Sequence, residues 1–182
     1  MWRLLPNVLS LGRGLAALPV AIWILDGNWL AAFWLALIAG LSDLVDGWLA
    51  KRFHWQSRVG AALDGLADKV LLFGIFLALV MVGRLPVWWL LLALLRDLVI
   101  VIGAWFYNRL VEKLRPQPSL LGKACTAAQI SLALWVLASS AWAWPQPVFE
   151  AVLFWLAVVL TALSGLHYIV VWAGRARRRG VS

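Results

Sequence analysis

Four of the chain's eight acidic residues fall between Asp43 and Asp68, inside a sequence that is otherwise almost wholly apolar. The segment reads Asp43-Leu-Val-Asp46-Gly47-Trp-Leu-Ala50-Lys51 and, after eight intervening residues, Gly60-Ala-Ala-Leu-Asp64-Gly-Leu-Ala-Asp68-Lys69. Carboxylates in apolar surroundings persist mainly where they line a site or an ion pathway. Asp43 and Asp46 are three apart and Asp64 and Asp68 four apart, so on helices each pair shares one face. The stretch from Lys51 to Arg58 between them is polar enough to turn in water. Asp46 precedes that turn by about two helical turns and Asp64 follows it by a similar distance, at ~3.6 residues per turn. Two antiparallel helices would therefore bring four carboxylates to one depth. Hard oxygen ligands of this kind suit magnesium, manganese or calcium. A proton or ion relay in a small transporter is the other chemistry such a cluster permits.

The elements that must position these residues are membrane spans. The chain has 182 residues, 64% of them hydrophobic, and a mean hydropathy of +0.90. Its apolar stretches reach the ~20 residues that cross a hydrocarbon core. Six spans are predicted, at 8–25, 29–50, 59–82, 86–108, 120–142 and 148–172, giving an all-α polytopic membrane protein. The apolar run Leu15 to Leu25 ends in Asp26-Gly27-Asn28 and has no small-residue cleavage site, so it reads as a retained first span. With both termini on one side, Arg3, Arg13, the Lys51–Arg58 turn, Arg109, Lys113, Arg115, Lys123 and the tail Arg175 to Arg179 share that side. Arg84 stands alone on the other. This is the positive-inside asymmetry, which predicts that both termini and the Lys51–Arg58 turn are cytoplasmic; an inner (cytoplasmic) membrane location is expected. The net charge of +8 is thereby assigned to membrane topology and anionic headgroups, with no nucleic acid as partner.

The breaks between spans are short Gly or Pro clusters, and no repeat stands out, so one domain is expected over 1–182 with a basic cytoplasmic tail at 174–182. The second and third spans are the least lipid-like, each carrying two carboxylates near its cytoplasmic end. A substrate with a polar headgroup and a membrane-held tail would meet the carboxylates there. Clustered divalent cations neutralise phosphoryl charge, which points to a phosphate-bearing lipid headgroup.

The run Asp43-x2-Asp46-Gly47-x2-Ala50-Lys51-x8-Gly60-x3-Asp64-x3-Asp68 resembles the defining motif of the CDP-alcohol phosphotransferase (CDP-alcohol phosphatidyltransferase) family. Lys51 stands where that motif has Arg, with Arg52 adjacent. Lys offers a point charge in place of Arg's planar fork. Gly65 stands where the bacterial phosphatidylglycerophosphate synthases usually show Pro, while the rest of Leu63 to Lys69 matches them. Weaker matches are Asn7-x2-Ser10-x2-Arg13, Arg96-Asp97, and Gly122-Lys123-x2-Thr126, so the resemblance covers nearly the whole chain.

The resemblance implies that Asp43, Asp46 and Asp64 hold two divalent cations, Mg2+ or Mn2+, with Asp68 close to them and acting as the general base. It implies CDP-diacylglycerol as the donor, held near Gly47, Ala50, Lys51, Gly60 and Arg13. A glycerol-type alcohol is the implied acceptor, near Lys123, Arg96 and Arg52, and CMP is the product released. Homodimerisation is usual for the family. The stretch Arg96 to Tyr107 resembles the cardiolipin synthases, whose acceptor is phosphatidylglycerol, and glycerol 3-phosphate is the next candidate. With Lys51 and Gly65 off the usual pattern, a catalytically impaired relative remains an alternative beside the transporter.

Plainer roles compete at several positions. Lys51, Arg52, Arg58 and Arg13 also serve topology, and Lys69 also balances the acids. Mid-span, Arg96 and Asp97 each need a partner, structural or in an acceptor pocket. Cys125 reads as a small apolar residue within a helix, His54 as solvated and Glu150 as exposed. His167 reads as a buried, satisfied histidine. The pairs Trp88-Trp89 and Trp142-x-Trp144 read as interface anchors.

Overall fold

The computed structural model describes the backbone of residues 5–52, 58–110 and 119–179, and side chains within 10–42, at 60, and within 64–103 and 119–171. Six helices occupy it: α1 (Leu5–Leu25), α2 (Trp29–Arg52), α3 (Arg58–Met81), α4 (Val87–Leu110), α5 (Leu120–Ala141) and α6 (Pro147–Arg179). No strand occurs among the described residues. The predicted spans and the helices agree to within a few residues, except that α6 runs on through the basic tail to Arg179.

The breaks work as their residue types require. Gly27 takes φ 74° and Gly83 φ 75°, the left-handed geometry that ends a helix at little steric cost. Beside them Asn28 N–H bonds Trp23 O at 2.8 Å and Arg84 N–H bonds Leu79 O at 2.8 Å, satisfying the last carbonyls of α1 and α3. Ser119 caps α5 by accepting the Gly122 N–H at 3.0 Å. Pro147 opens α6, where a missing N–H does no harm.

The chain divides into two compact units. The first holds Met1–Pro86 and Ala133–Gln146, so it contains α1, α2, α3 and the last part of α5. Here α1 packs on both α3 and α2. The α1 face turned inward is Ser10, Arg13, Ala17, Val20 and Ile24, a three-four stripe. Ala32, Ala36 and Ala39 of α2 and Ala67, Leu71, Ile75, Ala78 and Leu79 of α3 are buried likewise. The contact is close because the residues are small. A Cβ added at Gly74 would lie 3.3 Å from Ala17 Cβ, and one at Gly14 would lie 3.8 Å from Ala67.

The second unit holds Val87–Leu132 and Pro147–Ser182, with α4 packed on α6. Its buried polar residues include Arg96, Gln129, Thr161 and Ser164.

Both units reverse the distribution of a water-soluble protein. On α1 the buried face carries Ser10 and Arg13 while the exposed face is Leu11, Leu15, Leu18 and Ile22. On α6 Thr161 and Ser164 are buried while Val152, Trp155, Leu156, Val159, Leu163 and Leu166 are exposed. Polar inside and apolar outside is the arrangement lipid selects. Leu120–Ala141 and Pro147–Val171 are long and apolar enough to cross a membrane, and Ser10–Leu25 and Trp29–Ser42 are shorter apolar stretches. The chain is a membrane protein.

Candidate active site

Helix α3 presents Asp64 and Asp68 one turn apart. Helix α1 supplies a donor to each. Ser10 Oγ donates to Asp64 Oδ1, and Arg13 Nη1 donates to Asp68 Oδ1 at 2.6 Å. The pairing is parallel. Moving three residues along α1 matches moving four along α3 in the same direction, so the two helices run parallel. Both donors are buried, while Asp64 is half-buried and the Asp68 side chain keeps 39% of its surface exposed. Each carboxylate is thus gripped from the α1 side and retains an open side. Lys69 is half-buried beside Asp68.

Asp43, Asp46, Gly47, Ala50, Lys51 and Arg52 all lie on the helical backbone of α2, and their side chains fall outside the described residues. α2 packs on α1 and touches α3, so the helix bearing the first two carboxylates borders both helices of the Ser10–Arg13–Asp64–Asp68 seam. Gly60 is buried on the first turn of α3. His54 and the segment 111–118 lie outside the described residues.

The donor set of the seam consists of carboxylate and hydroxyl oxygens, with no sulfur or imidazole. That fits Mg2+ or Mn2+. No group of three or more His, Cys, Asp or Glu forms among the described residues, since only Asp64 and Asp68 of the four acids belong to them. The oriented, hydrogen-bonded state of these two carboxylates is what a cation site needs of its ligands.

The second unit carries a separate polar cluster. Arg96, 91% buried, donates from Nε and Nη2 to Ser164 Oγ at 3.3 and 3.2 Å and from Nη1 to Asp97 Oδ1 at 2.7 Å. The mid-span cation therefore pairs with its own sequence neighbour and with a hydroxyl from α6. Gly122 sits under this group. A Cβ there would lie 3.2 Å from Ser119 Oγ, 3.3 Å from Tyr168 Oη and 3.6 Å from Arg96 Nη2. Lys123 is exposed on the same turn, and Thr126 Oγ1 donates to Gly122 O at 3.2 Å. Arg96, Lys123 and the α5 N-terminus are thereby brought to one place. Further along, Cys125 Sγ and Thr161 Oγ1 lie 3.4 Å apart and Gln129 Nε2 donates to Thr161 Oγ1 at 3.1 Å, all three buried.

Ser119, Ser164 and Tyr168 carry much of this cluster and were not singled out from sequence. A small polar residue following Pro and preceding an apolar run is a cap signal that points to Ser119. Nothing local marks the other two. Three sequence expectations need correction, the first being Glu150, which is half-buried on the first turn of α6. His167 is exposed, because the buried stripe of α6 runs through Ala157, Thr161 and Ser164 toward the half-buried Tyr168, and His167 lies off it. Trp89 is fully buried, its ring centroid 5.7 Å from that of Phe154. Trp88, 100° around the helix, is exposed and remains an interface residue.

A sequence model described as CDP-alcohol phosphatidyltransferase matches residues 3–163. A Drosophila melanogaster protein named as a probable cardiolipin synthase (CMP-forming) is 28% identical over 184 residues, covering 91% of this chain and 56% of its own length. A CDP-diacylglycerol--glycerol-3-phosphate 3-phosphatidyltransferase of Aquifex aeolicus is 35% identical over 123 residues, covering 66% of this chain and 68% of that one. The enzyme of the same name from Shigella flexneri is 32% identical over 177 residues, covering 91% and 92%. The chain thus spans little more than half of the fly relative and nearly all of the Shigella one.

Proposed function

The chain belongs to the CDP-alcohol phosphatidyltransferase family, and from that premise we propose that it transfers a phosphatidyl group from CDP-diacylglycerol to a glycerol-type alcohol and releases CMP. The observation that carries this reading is the pair of α3 carboxylates held by buried α1 donors, within the motif that the family match spans.

Asp43, Asp46 and Asp64 would hold two divalent cations, Mg2+ or Mn2+, with Asp68 at their edge. When bound, such ions neutralise the charge of the donor pyrophosphate. Gly47, Ala50 and Gly60 are small residues where the nucleotide would lie against helix backbone, and Lys51 would serve its phosphates. Asp68 takes the proton of the acceptor hydroxyl as that oxygen bonds to the lipid-side phosphorus. The bond from this phosphorus to the bridging oxygen breaks, and CMP departs with the electron pair. Arg96, Lys123 and Arg52 serve the acceptor, whose phosphate suits a guanidinium and a lysine beside a helix N-terminus.

The lipid part of both substrates stays in the bilayer. Six spans with cytoplasmic termini are the reading the charge asymmetry favours, with a cytoplasm-facing site in the inner membrane as the proposed location. Helices of 21 to 33 residues support them, each ~30 Å or longer at ~1.5 Å per residue. A homodimer is the assembly to expect of the family.

The test is CMP release by purified protein given CDP-diacylglycerol and Mg2+ or Mn2+, with phosphatidylglycerol and glycerol 3-phosphate offered in separate arms. Release that depends on one acceptor and disappears in Asp68→Asn establishes the transferase and names its acceptor. Relatives of both kinds exist among the matches, so both arms are required. No release in either arm from folded, metal-supplied protein overturns the glycerol-type reading. Ion-gradient-dependent transport without CMP release would then be the measurement to make.

A further inference from the structure

The N-terminal motif Asn7-x2-Ser10-x2-Arg13 has no role yet beyond resemblance, and its arginine would ordinarily be read as a topological charge or a phosphate contact. Neither use explains where Arg13 goes. A topological arginine near a span end extends its head toward the interface. Arg13 instead has a side chain 1% exposed and directs Nη1 to Asp68 at 2.6 Å. Ser10, one turn earlier and also buried, directs its hydroxyl to Asp64.

From this register we infer that α1 is the positioning helix of the reaction: Ser10 orients Asp64 for the cations and Arg13 orients Asp68 for proton transfer. The inference rests on the proposed transferase reading for the roles of the two carboxylates. Its geometry is independent of that reading. Both bonds use Oδ1, come from the same helix face and follow the same parallel register. The register is held by close small-residue contacts at Gly14 with Ala67 and at Ala17 with Gly74. A carboxylate has about four lone-pair positions, so the α1 donor helps to fix its rotamer without using its full acceptor capacity. Partners that orient a ligating carboxylate typically affect metal affinity or activity by 10–100-fold.

The two residues therefore divide the work, and the division is measurable. Arg13→Ala, Arg13→Lys, Ser10→Ala and Ser10→Thr are made in the full chain. CMP release is resolved into kcat and KM for CDP-diacylglycerol, and Mn2+ binding is followed by loss of the free-ion electron paramagnetic resonance signal. Expected for Arg13→Ala is a kcat about 10–100-fold lower, with KM and Mn2+ affinity each within about twofold of the parent. Arg13→Lys recovers part of kcat. Expected for Ser10→Ala is Mn2+ binding weakened about tenfold, and Ser10→Thr restores it.

A raised KM with kcat retained in Arg13→Ala makes Arg13 a donor contact and overturns its half of the inference. Unchanged Mn2+ binding in Ser10→Ala overturns the other half. Should the alanine variants fail to fold, the lysine and threonine variants decide. A lowered kcat at parental KM in Arg13→Lys supports the first half, and a parental kcat or a raised KM overturns it. Retained Mn2+ affinity in Ser10→Thr supports the second half, and its loss in a folded protein overturns it. A parent chain without CMP release that still binds Mn2+ in a Ser10-dependent way would overturn the transferase reading and leave the Ser10 half standing.

Discussion

The α1–α3 seam predicts that one and the same substitution has opposite effects at two glycines. Gly74→Ala places a Cβ 3.3 Å from Ala17 Cβ, 3.4 Å from Ala17 O and 3.8 Å from Ala17 C. Carbon atoms settle at ~3.5–4.0 Å, and two of these three atoms are backbone, so relief requires α1 to move as a unit. At Gly40, also within a helix, nothing lies within 4 Å of the added Cβ. Replacing Gly by Ala in a helix interior gains up to ~1 kcal/mol at either site. Overpacking at Gly74 alone costs about 1–3 kcal/mol. Gly40→Ala should therefore be neutral or stabilising, and Gly74→Ala should be the less stable of the two by about 1–3 kcal/mol. For a chain of this size that separates the melting midpoints by about 4–8 °C at the middle of the range. The assay is thermal unfolding of both variants and the parent in one detergent, read by emission of the abundant tryptophans. Adding Ala17→Gly to Gly74→Ala should recover part of the loss, because it removes one of the two close atoms and leaves the carbonyl. Equal midpoints for the two single variants would refute the reasoning, since the seam would then relax freely and could not hold α1 in register.

At Gly122, alanine should raise the KM for the acceptor on the order of tenfold by displacing Tyr168 and Arg96; adding Tyr168→Phe, which removes one crowding oxygen, should recover part of it in the CMP-release assay. Asp97→Asn should lower the melting midpoint more than Ser164→Ala, because it takes the charge partner from a buried guanidinium, whereas Ser164→Ala removes a neutral acceptor worth about 1–3 kcal/mol. Thr161→Val should destabilise by about 1–3 kcal/mol by orphaning the Gln129 amide, and Gln129→Leu in the same chain should return the midpoint most of the way. Lys51→Arg introduces the planar fork that the family motif has at this position and should lower the KM for CDP-diacylglycerol without shifting the midpoint; an unchanged KM would count against Lys51 as a donor-phosphate contact.

Helix positions were readable from the sequence because Gly and Pro clusters interrupt apolar runs, and Gly27 and Gly83 adopt the left-handed backbone that such clusters imply. Asp64 and Asp68 stood out in the sequence because an acid within an apolar helix needs a partner, and both have one on α1. Arg13 as the partner of Asp68 was not readable. It lies 55 residues away on a helix that is not the next one in the chain, and a rule that counts basic residues by side treats Arg13 and Arg3 alike. Trp88 and Trp89 show the same limit at shorter range. Their hydropathies are identical, yet one is exposed and the other has no exposed surface. Only the rotational setting of α4 against α6 distinguishes them.

That limit has one physical origin. In water, apolar residues mark the inside of a helix, so a hydrophobic stripe reveals which face packs. In lipid both faces are apolar, and the stripe carries little information. The polar and small residues take over that role, because each polar group in hydrocarbon must find a partner and only small residues let helices approach. On α1 the informative residues are Ser10, Arg13, Gly14 and Ala17, and every one of them faces α3 through a hydrogen bond or a close contact. In the second unit Gln129, Thr161, Ser164 and Arg96 mark the packed faces of α4, α5 and α6 in the same way. The residues that orient the helices are thus of the same kind as those proposed for the chemistry. In the first unit the two sets meet directly, since the donors that set the register of α1 end on Asp64 and Asp68 themselves.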